Sequence, residues 1–227
     1  MNRSEINHHI REAEALFASQ HFHLPPFASW TPDQWQTTGP EADEIRRCAL
    51  GWDLSDYGLG DFSKTGLLLF TVRNGDHTDP ASKTYAEKIM VVRESQVTPW
   101  HFHWKKTEDI INRGTGQLTI ELAWATTDES ALDEQKPVTV SCDGIATTVP
   151  ALGTVTLDPG QSITLPPFLY HQFYGTPGHG TVLVGEVSST NDDKSDNRFL
   201  AKIGRFPTIT EDENPHRLLC TEYPSLQ

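Results

Sequence analysis

Residues 99–108 read Pro99-Trp100-His101-Phe102-His103-Trp104-Lys105-Lys106-Thr107-Glu108. In an extended segment His101 and His103 share one face, about 7 Å apart along it, because side chains alternate on a strand. Two imidazoles at that spacing can converge on one ion. Glu108 follows five residues after His103, room for a short turn and a return onto a neighbouring strand. Its carboxylate adds a harder oxygen ligand. Alone, a His-x-His pair is equally at home on a strand surface, since metal sites need several convergent ligands. The second half of the chain supplies another: Asp158-Pro159-Gly160 is a turn, 161–165 a strand, Pro166-Pro167 a corner, and His171 follows. From a facing strand it can reach the same ion. Three imidazoles and a carboxylate, without sulfur, suit Mn, Fe, Co, Ni or Zn.

The surrounding chain reads as β. GLLLFTVRNG (66–75), KIMVVRE (88–94), QLTIELAWAT (117–126), KPVTVSCDG (136–144), IATTVPA (145–151), GTVTLDPG (153–160), QSITLPP (161–167), LYHQFYG (169–175) and TVLVGEVSS (181–189) follow at short spacing. They are rich in Val, Ile, Thr and Tyr and separated by Gly, Pro, Asn and Asp. Asn74-Gly75 and Asp143-Gly144 have the composition of two-residue hairpin turns. Such a series predicts an all-β sandwich or barrel rather than alternating βα units. Residues 1–60 read as a helix-containing arm: Ile6, Ile10, Ala13 and Phe17 recur at helical spacing. Pro25-Pro26 breaks that helix, Pro32 opens a second, and EADEIRRCALGWDL (41–54) reads as part of a third, ended near Gly51. The barrel occupies 61–190 and a polar C-terminal tail 191–227, all in one structural domain.

Composition narrows the function. The 227 residues carry 18 Lys+Arg against 31 Asp+Glu, a formal charge of −13. With no dense basic patch, neither a nucleic-acid groove nor an anionic membrane surface is expected as a partner. Three distant cysteines, Cys48, Cys142 and Cys220, form no Cys-x-x-Cys pair. They read as reduced structural thiols of a cytoplasmic protein. The N-terminus has charges and His where a signal peptide needs an apolar run. No stretch approaches the roughly 20 apolar residues of a spanning helix.

His101-x-His103-x4-Glu108-x5-Gly114 and Gly160-x5-Pro166-Pro167-x3-His171 resemble the two cupin motifs. The pattern departs from the family at Pro99-Trp100 before the first His, at Phe168 where the second motif has a Gly, and at Phe173 or Tyr174 where an Asn often falls. Within the cupins the chain is most similar to the D-lyxose isomerases. The carrying stretches are YAEKIMVVRESQVTPWHFHWKKTEDIINRGTGQL, SITLPPFLYHQFY, VLVGEVSSTNDDKSDNRF and IGRFPTITEDENP. The resemblance implies a jelly-roll β-barrel, a homodimer and manganese held by His101, His103, Glu108 and His171. It implies interconversion of D-lyxose and D-xylulose, and of D-mannose and D-fructose, as free sugars.

Isomerisation through a cis-enediol needs a group that moves a proton between C1 and C2. Alternation puts Lys88, Met90, Val92, Glu94 and Gln96 on one face of their strand and Glu87, Arg93 and Ser95 on the other. Lys88 is a catalytic candidate if the first face points inward, and an ordinary exposed Lys if it does not. Glu186 interrupts an apolar strand and needs a partner or a role there. Glu213, in the acidic tail, is a third candidate. Lys106, Asp109, Arg205 and Trp100 are candidates for binding sugar hydroxyls or C–H faces, with Trp104 and Phe168 as further aromatic walls or plain core. Two rival functions share the ligand set: an iron dioxygenase, and a cupin that binds sugar without turnover. A sensing cupin usually carries a basic helix-turn-helix module, which residues 1–60 lack.

Overall fold

The computed structural model describes residues 1–224. Helix α1 (Arg3–Ser19) is followed by the short helices α2 (Pro32–Thr37) and α3 (Asp43–Arg47). Fourteen strands follow: β1 (Gly51–Ser55), β2 (Leu67–Arg73), β3 (Tyr85–Val92), β4 (Thr98–Phe102), β5 (Glu108–Thr115), β6 (Leu118–Ala125), β7 (Leu132–Asp133), β8 (Val138–Cys142), β9 (Ile145–Val149), β10 (Gly153–Leu157), β11 (Ser162–Leu165), β12 (Leu169–Gly175), β13 (Val182–Ser189) and β14 (Arg198–Phe199). They build two curled antiparallel sheets. One runs β1-β2-β3-β13-β5-β11-β8-β9. The other runs β10-β6-β12-β4-β14, with β7 added beside β6. This is the jelly-roll barrel that the cupin resemblance implies.

The apolar residues divide between two cores. Inside the barrel, Leu69, Met90, Ile110, Ile120, Leu122, Ile163, Leu169, Phe173 and Val184 pack between the sheets. On the outer face of the larger sheet, Ile6, Ile10, Ala13 and Phe17 of α1 bury against Trp52, Leu68, Phe70, Ile89 and Leu183. Strands β2, β3 and β13 are therefore covered on both faces, which is why they read as nearly continuous apolar runs. The spacing that predicts α1 is the stripe it buries. At α2, Thr31 accepts from Gln34 N, Gln34 accepts from Thr31 N, and Pro32 takes the first helical position.

Two local expectations need correction, and one strand is irregular. The third helix ends short of Gly51: α3 stops at Arg47, and Gly51–Ser55 forms β1 on β2. The end of the helical arm is thus part of the larger sheet. Strands β2 and β3 pair antiparallel, but Asn74-Gly75 is not a two-residue turn between them. Asn74 is buried instead, donating to the carbonyls of Cys48 and Asn191 and accepting from the amides of Gly75 and Asn191. An Asn at a strand end serves local backbone groups as readily as a tight turn. Finally, β4 carries a bulge. His101 pairs with His171 and Thr98 with Phe173, so three steps on β4 face two on β12. Pro99 and Trp100 lie in the extra length, and bulges re-aim side chains next to functional sites. By contrast, Asp143-Gly144 is the tight turn between β8 and β9, both residues at positive φ (50° and 84°).

Candidate metal centre

His101 on β4, His103 just beyond it, Glu108 opening β5 and His171 on β12 converge inside the barrel. One donor atom from each lies within 4.8 Å of the others, and all four residues are buried. Each imidazole is oriented by a main-chain carbonyl: His101 Nδ1 by Pro99 O at 2.7 Å, His103 Nδ1 by Asp196 O at 2.6 Å and His171 Nδ1 by Leu169 O at 3.0 Å. A carbonyl only accepts, so each ring donates from Nδ1 and a neutral ring presents the lone pair of Nε2. This fixes the tautomer a metal ligand needs.

Two of those lone pairs have no hydrogen-bond partner among the described residues. His103 Nε2, His171 Nε2 and Glu108 Oε1 are buried without a hydrogen bond. His171 Nε2 lies 3.0 Å and His103 Nε2 3.5 Å from Glu108 Oε1. Lone pairs facing one another in a dry site repel unless a cation lies among them. Burial first, and then the neighbouring rings of His171 and His103, push the His101 imidazole well below its ordinary range. His101 is thus neutral, the form that binds metal. The residues fit a divalent ion.

Beside the ligands lies a buried ionic network. Lys106 Nζ sits 2.7 Å from Glu108 Oε2 and 2.9 Å from Glu186 Oε1. Lys88 Nζ is 3.3 Å from the same Glu186 oxygen and donates to Asn191 Oδ1 at 2.8 Å. Arg205 bridges Asp53 and Asp193. Burial alone would raise the Glu186 carboxyl, but Lys106 and Lys88 hold it below the usual carboxylate range. Burial is likewise outweighed at Glu108 by Lys106 and the imidazoles, and at Asp193 by Lys88, Arg205 and Lys106. Three cations thus stand among four carboxylates, and a divalent ion would bring this cluster to a single positive charge.

His101, His103, Glu108, Lys88, Lys106, Glu186, Asp193 and Arg205 line one cavity, closed on its apolar side by Leu67, Leu69, Met90, Ile110 and Phe173 and on its outer side by Tyr57, Asn197 and Phe199. Lys88 faces inward, opposite the half-buried Glu87 beside it on β3, and Lys106, Glu186 and Arg205 meet it there. Asp109, Trp100 and Glu213 do not. Asp109 alternates with Glu108, so it faces out of the barrel and accepts from Thr164 Oγ1 at 2.6 Å. Trp100 sits in the bulge and is absent from the cavity wall. Glu213 is held outside by Asn7 of α1, whose Nδ2 donates to it. Trp104 and Phe168 also lie away from the cavity, Trp104 donating to Glu129 and Phe168 packing on Phe102. The aromatic walls are Tyr57, Phe173 and Phe199.

Sequence reasoning missed Asp53, Tyr57, Asn191, Asp193 and Asn197. Asn191, Asp193 and Asn197 come from NDDKSDNRF, a stretch that reads as a solvated polar loop. The available signal is its position, directly after the strand carrying Glu186.

Comparisons with known proteins agree with this geometry. A family model described as D-lyxose isomerase matches residues 1–223. The D-lyxose/D-mannose isomerases of Escherichia coli O157:H7 and Serratia proteamaculans are each 48% identical over 225 residues, covering 98% of both chains. The L-ribose isomerase of Cellulomonas parahominis, solved with L-ribose, superposes with a TM-score of 0.61 at 17% identity, over 92% of this chain and 98% of that one. That likeness speaks for the barrel. With a matching family model along nearly its whole length and relatives of the same family at 48% identity, this barrel is a sugar isomerase that belongs to the D-lyxose isomerase family.

Proposed function

We infer that the protein interconverts free D-lyxose and D-xylulose, and D-mannose and D-fructose, by proton transfer through a cis-enediol. The observation that carries this reading is the placement of Glu186, flanked by two buried lysines, in the same cavity as His101, His103 and Glu108. His101, His103, Glu108 and His171 would hold a divalent ion, which would supply Lewis-acid charge to the substrate.

The chain's own groups do the rest. Both lysines contact Oε1 of Glu186, and among the described residues Oε2 has no hydrogen-bond partner. Glu186, kept ionised by those lysines, takes the proton from C2 of the aldose. The electron pair forms the C1–C2 double bond, and the C1 carbonyl oxygen gains a proton from Lys106 or Lys88. Return of the Glu186 proton to C1, with loss of the C2 hydroxyl proton to the lysine, yields the ketose. Arg205 and Asp193, fixed against each other, are placed to hold the distal hydroxyls.

We assign manganese as the resident ion and a homodimer as the working form, on the family resemblance. A cytoplasmic location is in keeping with three unpaired cysteines. The test is incubation of the manganese-loaded protein with a panel of pentoses and hexoses, with ketose formation from D-lyxose and D-mannose expected. His101→Ala, folded but without bound ion, should lose turnover; a fully active His101→Ala variant overturns the proposal.

A further inference from the structure

The stretch after β13 does more than close the cavity. Asp196 is 5% exposed and touches the metal centre twice. Its main-chain carbonyl accepts from His103 Nδ1 at 2.6 Å. Its carboxylate accepts from three consecutive amides, Trp104 N at 2.9 Å, Lys105 N at 3.0 Å and Lys106 N at 3.0 Å. Those amides form the connection from β4 to β5, the loop that runs from the ligand His103 to the ligand Glu108. Lys106, at the end of that triplet, sends its side chain back to Glu108 and Glu186. One residue therefore sets the ring of a ligand, the course of the loop between two ligands and the origin of the lysine.

The same residue belongs to the outer wall. Its amide donates to Asp192 O at 3.0 Å. Arg198 and Phe199 pair with Phe102 and His101 in β14–β4, and Asn197 donates to Asp193. Among the described residues, no other side chain holds the three amides of 104–106. A residue shared by the ion's ligands and the wall must make each sensitive to the other, because coupling between binding and conformation is reciprocal.

We propose that Asp196 is a positioning residue that couples ion binding at the His/Glu cluster to the closed arrangement of the 191–199 wall. This rests on the proposed metal-dependent reading of the site. Asp196 does not itself line the cavity, so it acts through His103 and Lys106.

Trypsin sites flank the coupling point: Lys194 and Lys202 are exposed, and Arg198 is half-buried. Three measurements on the full-length protein separate the outcomes. The first is manganese affinity of wild type, Asp196→Asn and Asp196→Ala by titration calorimetry. Asp196→Asn keeps the shape and one acceptor but places an amide N–H group against a main-chain N–H. It should weaken the ion by about 10- to 100-fold, the usual cost of losing a group that orients a ligand. Asp196→Asn decides the matter should the alanine variant fail to fold. The second is the rate of tryptic cleavage after Lys194 and Lys202, with and without manganese. The ion should slow it about fivefold or more in wild type and less than about twofold in Asp196→Asn. The third is turnover at limiting and at excess manganese. Excess ion should restore kcat of Asp196→Asn with KM for the sugar little changed, a rescue that simple loss of stability would not give. Unaltered ion affinity and unaltered ion-dependent protection in Asp196→Asn would overturn the inference alone. A wild type that binds no divalent ion would overturn the metal-dependent reading, and the inference with it.

Discussion

Replacing Lys106 with Met keeps the unbranched stem of the side chain, one atom shorter, and deletes its charge. In the wild type Lys106 Nζ lies 2.7 Å from Glu108 and 2.9 Å from Glu186, and all three residues are buried. At an effective dielectric constant of about 20, each contact attracts by about 6 kcal/mol. Much of that gain is offset by the desolvation of the three groups. Removing one partner recovers the desolvation of the lysine alone, strands Glu108 and leaves Glu186 to Lys88, which typically costs about 3–5 kcal/mol. For a chain of this size each kcal/mol lowers Tm by about 2–4 °C, so the ion-free variant should melt about 6–20 °C below wild type. The charge count refines the expectation. Wild type holds Lys88, Lys106 and Arg205 against Asp53, Glu108, Glu186 and Asp193; the variant holds two cations against the same four carboxylates. A divalent ion balances that deficit, so manganese should recover much of the loss and should bind the variant at least as tightly as wild type. Calorimetric or fluorimetric melting with and without manganese reads both effects. A drop below about 2 °C without ion, or an equal drop in both conditions, would refute the electrostatic account of the network.

Glu186→Gln leaves three cations against three carboxylates, so its Tm should stay near wild type while ketose formation falls about 10²- to 10⁴-fold, the usual loss for a general base. Glu213→Gln should leave kcat within about twofold, since Glu213 is tied to α1 outside the cavity; a large loss would restore it as a catalytic candidate. Glu186 and Asp193 have carboxyls held below their ordinary range. A depressed carboxylate contributes stability above its unfolded pKa of about 4 and loses it as pH falls through the folded value. Melting curves should therefore decline with acidification from about pH 4 downward; stability that instead rises there contradicts the directions assigned. Leu122→Ala, opening a void in the fully buried barrel core, should cost about 2–5 kcal/mol in urea unfolding without changing the ion affinity of the folded protein.

The barrel was legible because its strands are short, β-branched and punctuated, and α1 because its stripe repeats at helical spacing. β1 was hidden: Gly51-Trp52-Asp53-Leu54-Ser55 follows a helical pattern directly, and one short strand buried on both faces has no period to display. The four residues of the metal cluster were readable because motif spacing on paired strands dictates convergence. The wall was not, since nothing in NDDKSDNRF distinguishes an acidic loop folded over lysines from one in water. The aromatic assignments failed for a different reason. Trp100 directly precedes a ligand in sequence, but neighbours on a strand point to opposite faces, and here a bulge intervenes. Proximity in sequence is a poor guide to proximity in a cavity built from alternating strands. Tyr57 and Phe199, far from the ligands in sequence, take the place expected of Trp100.

All three imidazoles take their orientation from main-chain oxygens, those of Pro99, Leu169 and Asp196. Every residue type has such an oxygen. Exchanging the side chain of Pro99 or Leu169 removes no acceptor, so the tautomers of His101 and His171 are written into the course of the backbone rather than into replaceable groups. Such a centre tolerates mutational drift around it. The cavity walls can be rebuilt for sugars of other shape while the ligand geometry persists, and two of the three imidazoles have no single orienting side chain whose loss would disable them.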